Sequence, residues 1–118
     1  MHELSLAGDI LRMVEDTVTR EGRARVRCLT LQAGALAGVE VGALRFALDS
    51  MAPGTCLEGA QIEIQQPPGV ASCAACGATV EIRERTDPCP RCGAFGLRVR
   101  AGTTLRVLEL IVQDVHTA

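Results

Sequence analysis

Aromatic residues are almost missing from this chain of 118 residues: it has no Trp and no Tyr, and Phe46 and Phe95 are its only aromatic rings besides histidine. Surfaces that stack single-stranded bases use repeated aromatic platforms, so that class of function is disfavoured. Lysine is also absent. Twelve arginines stand against fourteen acids, for a formal charge of −2. Residues 1–69 hold six arginines and nine acids, and residues 70–100 hold five arginines and three acids. Neither part has the strong basic excess of a phosphate-binding surface. No apolar run approaches the length needed to span a membrane. Glu3, Asp9, Glu15 and Asp16 interrupt the N-terminal stretch, which predicts neither a secretory signal nor a transit peptide. The expected compartment is therefore the cytoplasm, where the six cysteines would be reduced or metal-bound. Histidine is scarce too, limited to His2 and His116.

What the chain does have is a 47% hydrophobic composition, enough for one small domain with an appendage. Residues 4–21 predict an amphipathic helix with Leu4, Ala7, Leu11, Val14 and Val18 on its apolar face, stopped by Gly22. Residues 25–33 alternate as a strand, with Leu29, Leu31 and Ala33 on one side and Cys28, Thr30 and Gln32 on the other. Gly34 and Gly38 bracket a turn. A second helix at about 40–52 has Val41, Leu44, Leu48 and Met51 as its buried stripe and ends at Pro53-Gly54. A second strand at 60–66 stops at Pro67-Pro68-Gly69, which reads as a hinge. The last strand, 104–115, is apolar enough to be expected at the centre of the sheet. The predicted fold is α+β: a small three-stranded sheet with two helices, carrying a zinc-ribbon-like four-cysteine module inserted between the last two strands. Residues 1–69 and 101–118 form one domain in this reading, and residues 70–100 the inserted module.

The inserted module contains the clearest motif. Cys73-Ala-Ala-Cys76-Gly and Cys89-Pro-Arg-Cys92-Gly are two paired-cysteine turns with twelve residues between them. Each turn aims two sulfurs at one point, and two facing turns make a tetrahedral four-thiolate cage suited to Zn²⁺. Two disulfides or an iron centre are the alternatives, the former at odds with the absence of an export signal. Four thiolates leave no open coordination position, so the zinc is expected to be structural, and no enzyme chemistry is expected of it. Cys28 and Cys56 read as small packing residues with no activating neighbour.

Met1-His2-Glu3 is a second metal-binding pattern. The Met1 amine, the His2 amide nitrogen and the His2 imidazole can close fused chelate rings on three corners of a square plane, and Glu3 can add a carboxylate oxygen or its own amide nitrogen. Such nitrogen-rich tetragonal coordination suits Ni²⁺ or Cu²⁺. The opposing reading is a solvated N-terminal histidine that holds nothing. His116 reads as part of a frayed tail.

The order of several segments carries a resemblance. Met1-His2-Glu3-Leu4-Ser5 is followed by the segment Leu31-Gln32-Ala33-Gly34-Ala35-Leu36-Ala37-Gly38-Val39. Leu44-Arg45-Phe46-Ala47-Leu48, Glu58-Gly59-Ala60 and the two cysteine pairs complete the series. Together they resemble the HypA/HybF family of hydrogenase-maturation nickel metallochaperones over essentially the whole chain. The resemblance implies a nickel-binding α/β domain with an inserted zinc domain. It also implies delivery of Ni²⁺ to the large-subunit precursor of a [NiFe] hydrogenase, in company with a nickel-handling GTPase, and in some members a role with urease maturation proteins. The implied nickel ligands are Met1, His2 and Glu3, and the implied zinc ligands are Cys73, Cys76, Cys89 and Cys92. Some members add a histidine from the zinc domain, whereas this chain has none between Cys76 and Val115. The rival reading is a zinc-ribbon nucleic-acid or transcription-associated module, suggested by Arg83, Arg85, Arg91, Arg98 and Arg100; a docking surface for an acidic protein partner accounts for the same arginines.

Overall fold

Eight elements make up the described part of the chain, residues 2–22 and 24–114 of a computed structural model. In order they are α1 (His2–Arg20), β1 (Ala24–Ala33), α2 (Val41–Met51), β2 (Gln61–Gln65), β3 (Gly69–Ser72), β4 (Thr79–Ile82), β5 (Arg98–Ala101) and β6 (Leu105–Asp114). The chain divides into two compact units. One comprises Met1–Leu31, Glu40–Ile64 and Val107–Ala118, and the other Gln32–Val39 and Gln65–Arg106. Among the described residues no helix is long and apolar enough to cross a membrane.

The helices of the first unit form where the 3.6-residue pattern requires them, and α1 packs on α2. The buried stripe of α1 is Ala7, Ile10, Val14 and Val18. Of the expected face, Leu11 is only half-buried, and Leu4 is 48% exposed. The helix stops as expected: Gly22 takes φ 98°, and the Glu21 and Gly22 amides bond back to Thr17 and Thr19 carbonyls. In α2 the buried residues are Leu44, Ala47 and Leu48, with Val41 and Met51 at its margins. Glu40 is the N-cap of α2, and its carboxylate accepts from the Gly42 and Ala43 amides.

The first sheet has the order β2-β1-β6. The central strand is thus β1, not the last strand as its apolar composition suggests. Burial accounts for the difference. In β1 Leu29 and Leu31 are fully buried and Thr30 between them is also buried, so both faces are sheltered. Leu108, Ile111 and Val112 of β6 remain 37–41% exposed, which is compatible with an edge.

A second sheet, order β4-β3-β5, lies in the second unit. Both neighbours of β3 are antiparallel to it. The core of this unit is small: Leu36, Ala71, Cys73, Val80, Ile82 and Cys89, with Leu97 and Val99 packed against it. Leu36 reaches that core because its segment is hydrogen-bonded into the unit. The Gly34 amide donates to Thr104, Ala35 to Pro67 and Leu36 to Gly102. Glycine is needed at this crossing: a Cβ on Gly34 would stand 2.2 Å from the Gly102 carbonyl oxygen.

Candidate metal centres

The two cysteine pairs are built as repeated turns. In the first, the Cys73 carbonyl accepts from the Gly77 amide and the Cys73 amide donates to the Ala78 carbonyl. In the second, Cys89 makes the same two bonds, with Gly93 and Ala94. The glycine closing each turn has positive φ, 74° at Gly77 and 78° at Gly93, a conformation costly for any residue with a Cβ. The first cysteine of each pair is buried and the second exposed. β3 delivers Cys73 at its C-terminal end, and the start of β4 anchors the return from the first turn.

All four sulfurs lie within 4.8 Å of one another. Cys73 and Cys92 are 3.6 Å apart, Cys76 and Cys89 3.8 Å. A tetrahedral ion with metal–sulfur bonds of ~2.3 Å sets its sulfurs about 3.8 Å apart, so the cage fits such an ion. A disulfide needs sulfurs at ~2.05 Å, and all six cysteines are free thiols. The thiols differ in acidity. The Cys92 amide, aided by that of Arg91, draws Cys89 down to about 7 against the effect of burial. Cys92 is pushed up to about 12: the Ala94 amide lowers it, but Cys73, burial, Cys89 and Cys76 together outweigh that. A metal entering the cage must displace protons, so its binding depends on pH.

The N-terminal pattern is placed at the start of α1. Met1 lies outside the described residues, as does His116. The His2 side chain is 63% exposed, with its Nδ1 3.5 Å from a Glu3 carboxylate oxygen. That same Glu3 oxygen accepts a 3.1 Å hydrogen bond from the Glu40 amide. The Glu40 amide, the Glu3 amide and His2 hold the Glu3 carboxyl below its ordinary range, with desolvation opposing them. The first amides of an α-helix have no intrahelical partner, so the His2 and Glu3 nitrogens are at positions where a metal costs the helix no hydrogen bond.

Glu40 was not singled out by its sequence. Its position just before the apolar run of α2 marks an N-cap, although Glu is not among the favoured capping residues. Its contact with Glu3 spans 37 positions, and no local pattern encodes it. Cys28 and Cys56 are half-buried. The Cys56 thiol is pushed up to about 11, first by burial and then by the Glu15 carboxylate, which makes it a poor nucleophile at neutral pH.

Comparison with known proteins finds relatives over almost the whole chain. A family model described as "Hydrogenase/urease nickel incorporation, metallochaperone, hypA" matches residues 1–112. Hydrogenase maturation factor HypA of Cupriavidus necator is 57% identical over 114 residues, covering 97% of this chain and 96% of that protein. The protein of the same name from Azotobacter vinelandii is 44% identical, covering 96% of this chain and 100% of its own length. The solution structure of the Ni metallochaperone HypA from Helicobacter pylori has the same fold, with TM-score 0.64 at 13% identity, covering 96% of this chain and 98% of that one.

Proposed function

This chain belongs to the HypA family of hydrogenase/urease nickel-incorporation metallochaperones, a family of metal carriers and not of enzymes, and we propose that it carries Ni²⁺ on the Met1 amine, His2 and Glu3. In this proposal residues 1–69 and 101–118 are the nickel-binding domain, and residues 70–100 are a zinc module. The recipient is the large-subunit precursor of a [NiFe] hydrogenase, reached in the cytoplasm with a nickel-handling GTPase; urease maturation proteins are the second class of client. Zn²⁺ on Cys73, Cys76, Cys89 and Cys92 has a structural role, since four thiolates saturate it.

The observation that carries the nickel assignment is the exposed His2 beside a Glu3 carboxylate already held by the Glu40 amide. The carboxylate is oriented before metal arrives, which reduces the ordering cost of binding. Its negative charge, with that of a deprotonated amide, offsets the unfavourable placement of a cation at a helix N-terminus. An exposed chelate can surrender its donors one at a time to an acceptor, as transfer by ligand exchange requires. Copper would bind the same donors more strongly, so selectivity must come from metal supply and from partners.

Nickel titration of the untagged protein tests this reading, beside His2→Ala and a form with extra residues ahead of Met1. Both changes should abolish tight nickel binding while zinc stays bound. The imidazole and the amine must both lose protons to bind, so wild-type affinity should fall as pH drops. Equal nickel affinity in all three proteins, or constant affinity from about pH 8 to about pH 5.5, would refute the ligand set.

A further inference from the structure

Both phenylalanines of this nearly ring-free chain lie at the surface, and Phe95 is the more exposed at 79%. Its position is shaped rather than loose. It follows the second cysteine turn, closed by the Cys89–Ala94 and Gly93–Cys89 backbone bonds. It stands between Gly93 and Gly96, at φ 78° and 77°. A ring held out on an ordered turn loses little freedom on binding, and aromatic and arginine side chains dominate the energetics of protein interfaces.

Along the chain the charge on either side of it is of one sign, with Glu81 of β4 the acid across β3 from Ala101. From Pro88 to Arg106 there are four arginines and no acid. Arg100 donates to Ser72 and Arg106 to Gln32. Among the described residues Arg91 and Arg98 have no ion-pair partner, and both are exposed. Arg98 and Arg100 are exposed on either side of Val99, which packs on the core, and Arg100 is the extra residue of a bulge opposite Val70 and Ala71. β5 is an edge: the order is β4-β3-β5, and β3 occupies one side of it. Phe95 is three residues before Arg98, so their Cα atoms are within about 11 Å.

We propose that the β5 edge and Phe95 form a docking surface for an acidic protein segment bearing an apolar residue. The segment adds to the sheet as an extended strand, the mode in which main-chain bonds give affinity and alternate side chains give specificity. Acidic residues of the added strand face Arg98 and Arg100, and its apolar residue covers Phe95. Nucleic acid fits the surface less well. There is one ring and no second stacking platform. The surface uses none of Met1, His2 or Glu3, so it stands whether or not they hold nickel.

The test uses the isotope-labelled full chain and a synthetic ten-residue peptide of alternating glutamates with a central leucine, followed by amide NMR shifts. The shifts should concentrate between Arg91 and Ala101. Phe95→Ser and, independently, Arg98→Glu should each weaken binding about tenfold, the scale set by loss of one interface anchor, with the rest of the amide spectrum unchanged. Replacing the peptide's glutamates with lysines should abolish binding. Shifts centred elsewhere would overturn the proposal. So would unchanged affinity in both variants, the result expected if the arginines only solvate the strand, or tighter binding of a single-stranded oligonucleotide of equal charge.

Discussion

Gly34→Ala adds one methyl group, yet it should destabilise the second unit severely. A Cβ at this position would meet the Gly102 carbonyl oxygen at 2.2 Å, its carbon at 2.4 Å and its Cα at 2.8 Å. All three are backbone atoms, so no side chain can rotate away. Gly102 cannot retreat freely either, because its own Cβ position is 2.7 Å from the Gly69 Cα. Relieving the clash means separating the segment at Gly34 from the strand pair behind it. That stretches the Leu36–Gly102 bond at 2.8 Å and the Gly34–Thr104 bond at 3.0 Å. Each is worth ~1 kcal/mol net, and overpacking adds ~1–3 kcal/mol. The expected loss is therefore ~3–5 kcal/mol, large for a core with so few big side chains. Gly8→Ala is the control. It lies in α1 with nothing within 4 Å, and should gain ~0.5–1 kcal/mol. Urea titration read through zinc release to a chromogenic chelator reports on the second unit, and helix circular dichroism on the first. An unchanged zinc-release midpoint in Gly34→Ala would refute the close-crossing account.

Two further outcomes follow from the metal centres. Cys73→Ala removes a buried ligand and leaves three thiols; zinc measured by elemental analysis after gel filtration should fall from one per chain to near zero, and the amides of β3 to β5 should lose their dispersed shifts, since such modules fold on their metal. Retained dispersion would show that the small aliphatic core suffices alone. At the N-terminus the Glu3 carboxyl is lowered from its ordinary value of 4.5 by the Glu40 amide, its own amide and His2. A depressed folded-state value contributes stability that is fully present above the unfolded value and is lost as pH falls through the folded one. The Glu40 amide resonance of the nickel-free protein should thus titrate below 4.5, and Glu3→Gln should abolish that titration; a midpoint at or above the ordinary value would exclude the contact.

Much of the fold was legible because it is periodic. The 3.6-residue and 2-residue patterns locate both helices and the strands of the first sheet to within a residue or two, and the two cysteine pairs mark their own turns. Three features carry no local signal. Leu36 sits in a segment that reads as a glycine-bracketed turn, but its partners Ala71, Ile82 and Cys89 come from far along the chain. The Glu40–Glu3 contact is equally non-local. Strand order failed for a different reason: apolar composition tells that β6 has hydrophobic residues, not that both of its faces are covered. Among the described residues of that sheet β1 has such shelter, shown by Thr30 buried among leucines.

The two proposed metal sites differ in how much structure must move to release an ion, and this difference separates a structural ion from a delivered one. Removing an ion from the cysteine cage requires access to Cys73 and Cys89, both buried, and exposes a core in which those two residues are themselves packing members. Metal binding there is inseparable from folding. At Met1-His2-Glu3 the imidazole is exposed and the amides belong to the unbonded first turn of a helix, so donors can leave singly without unfolding α1. Glu3 is the exception, since its carboxylate is held by Glu40. That tether makes Glu3 the donor expected to remain oriented while the others exchange. Removing the tethered carboxylate through Glu3→Ala should therefore weaken nickel retention and speed transfer to a competing chelator. Stopped-flow transfer to that chelator, set beside equilibrium titration, separates the two effects, and a variant that holds nickel as tightly as wild type would show that the tethered carboxylate is no ligand.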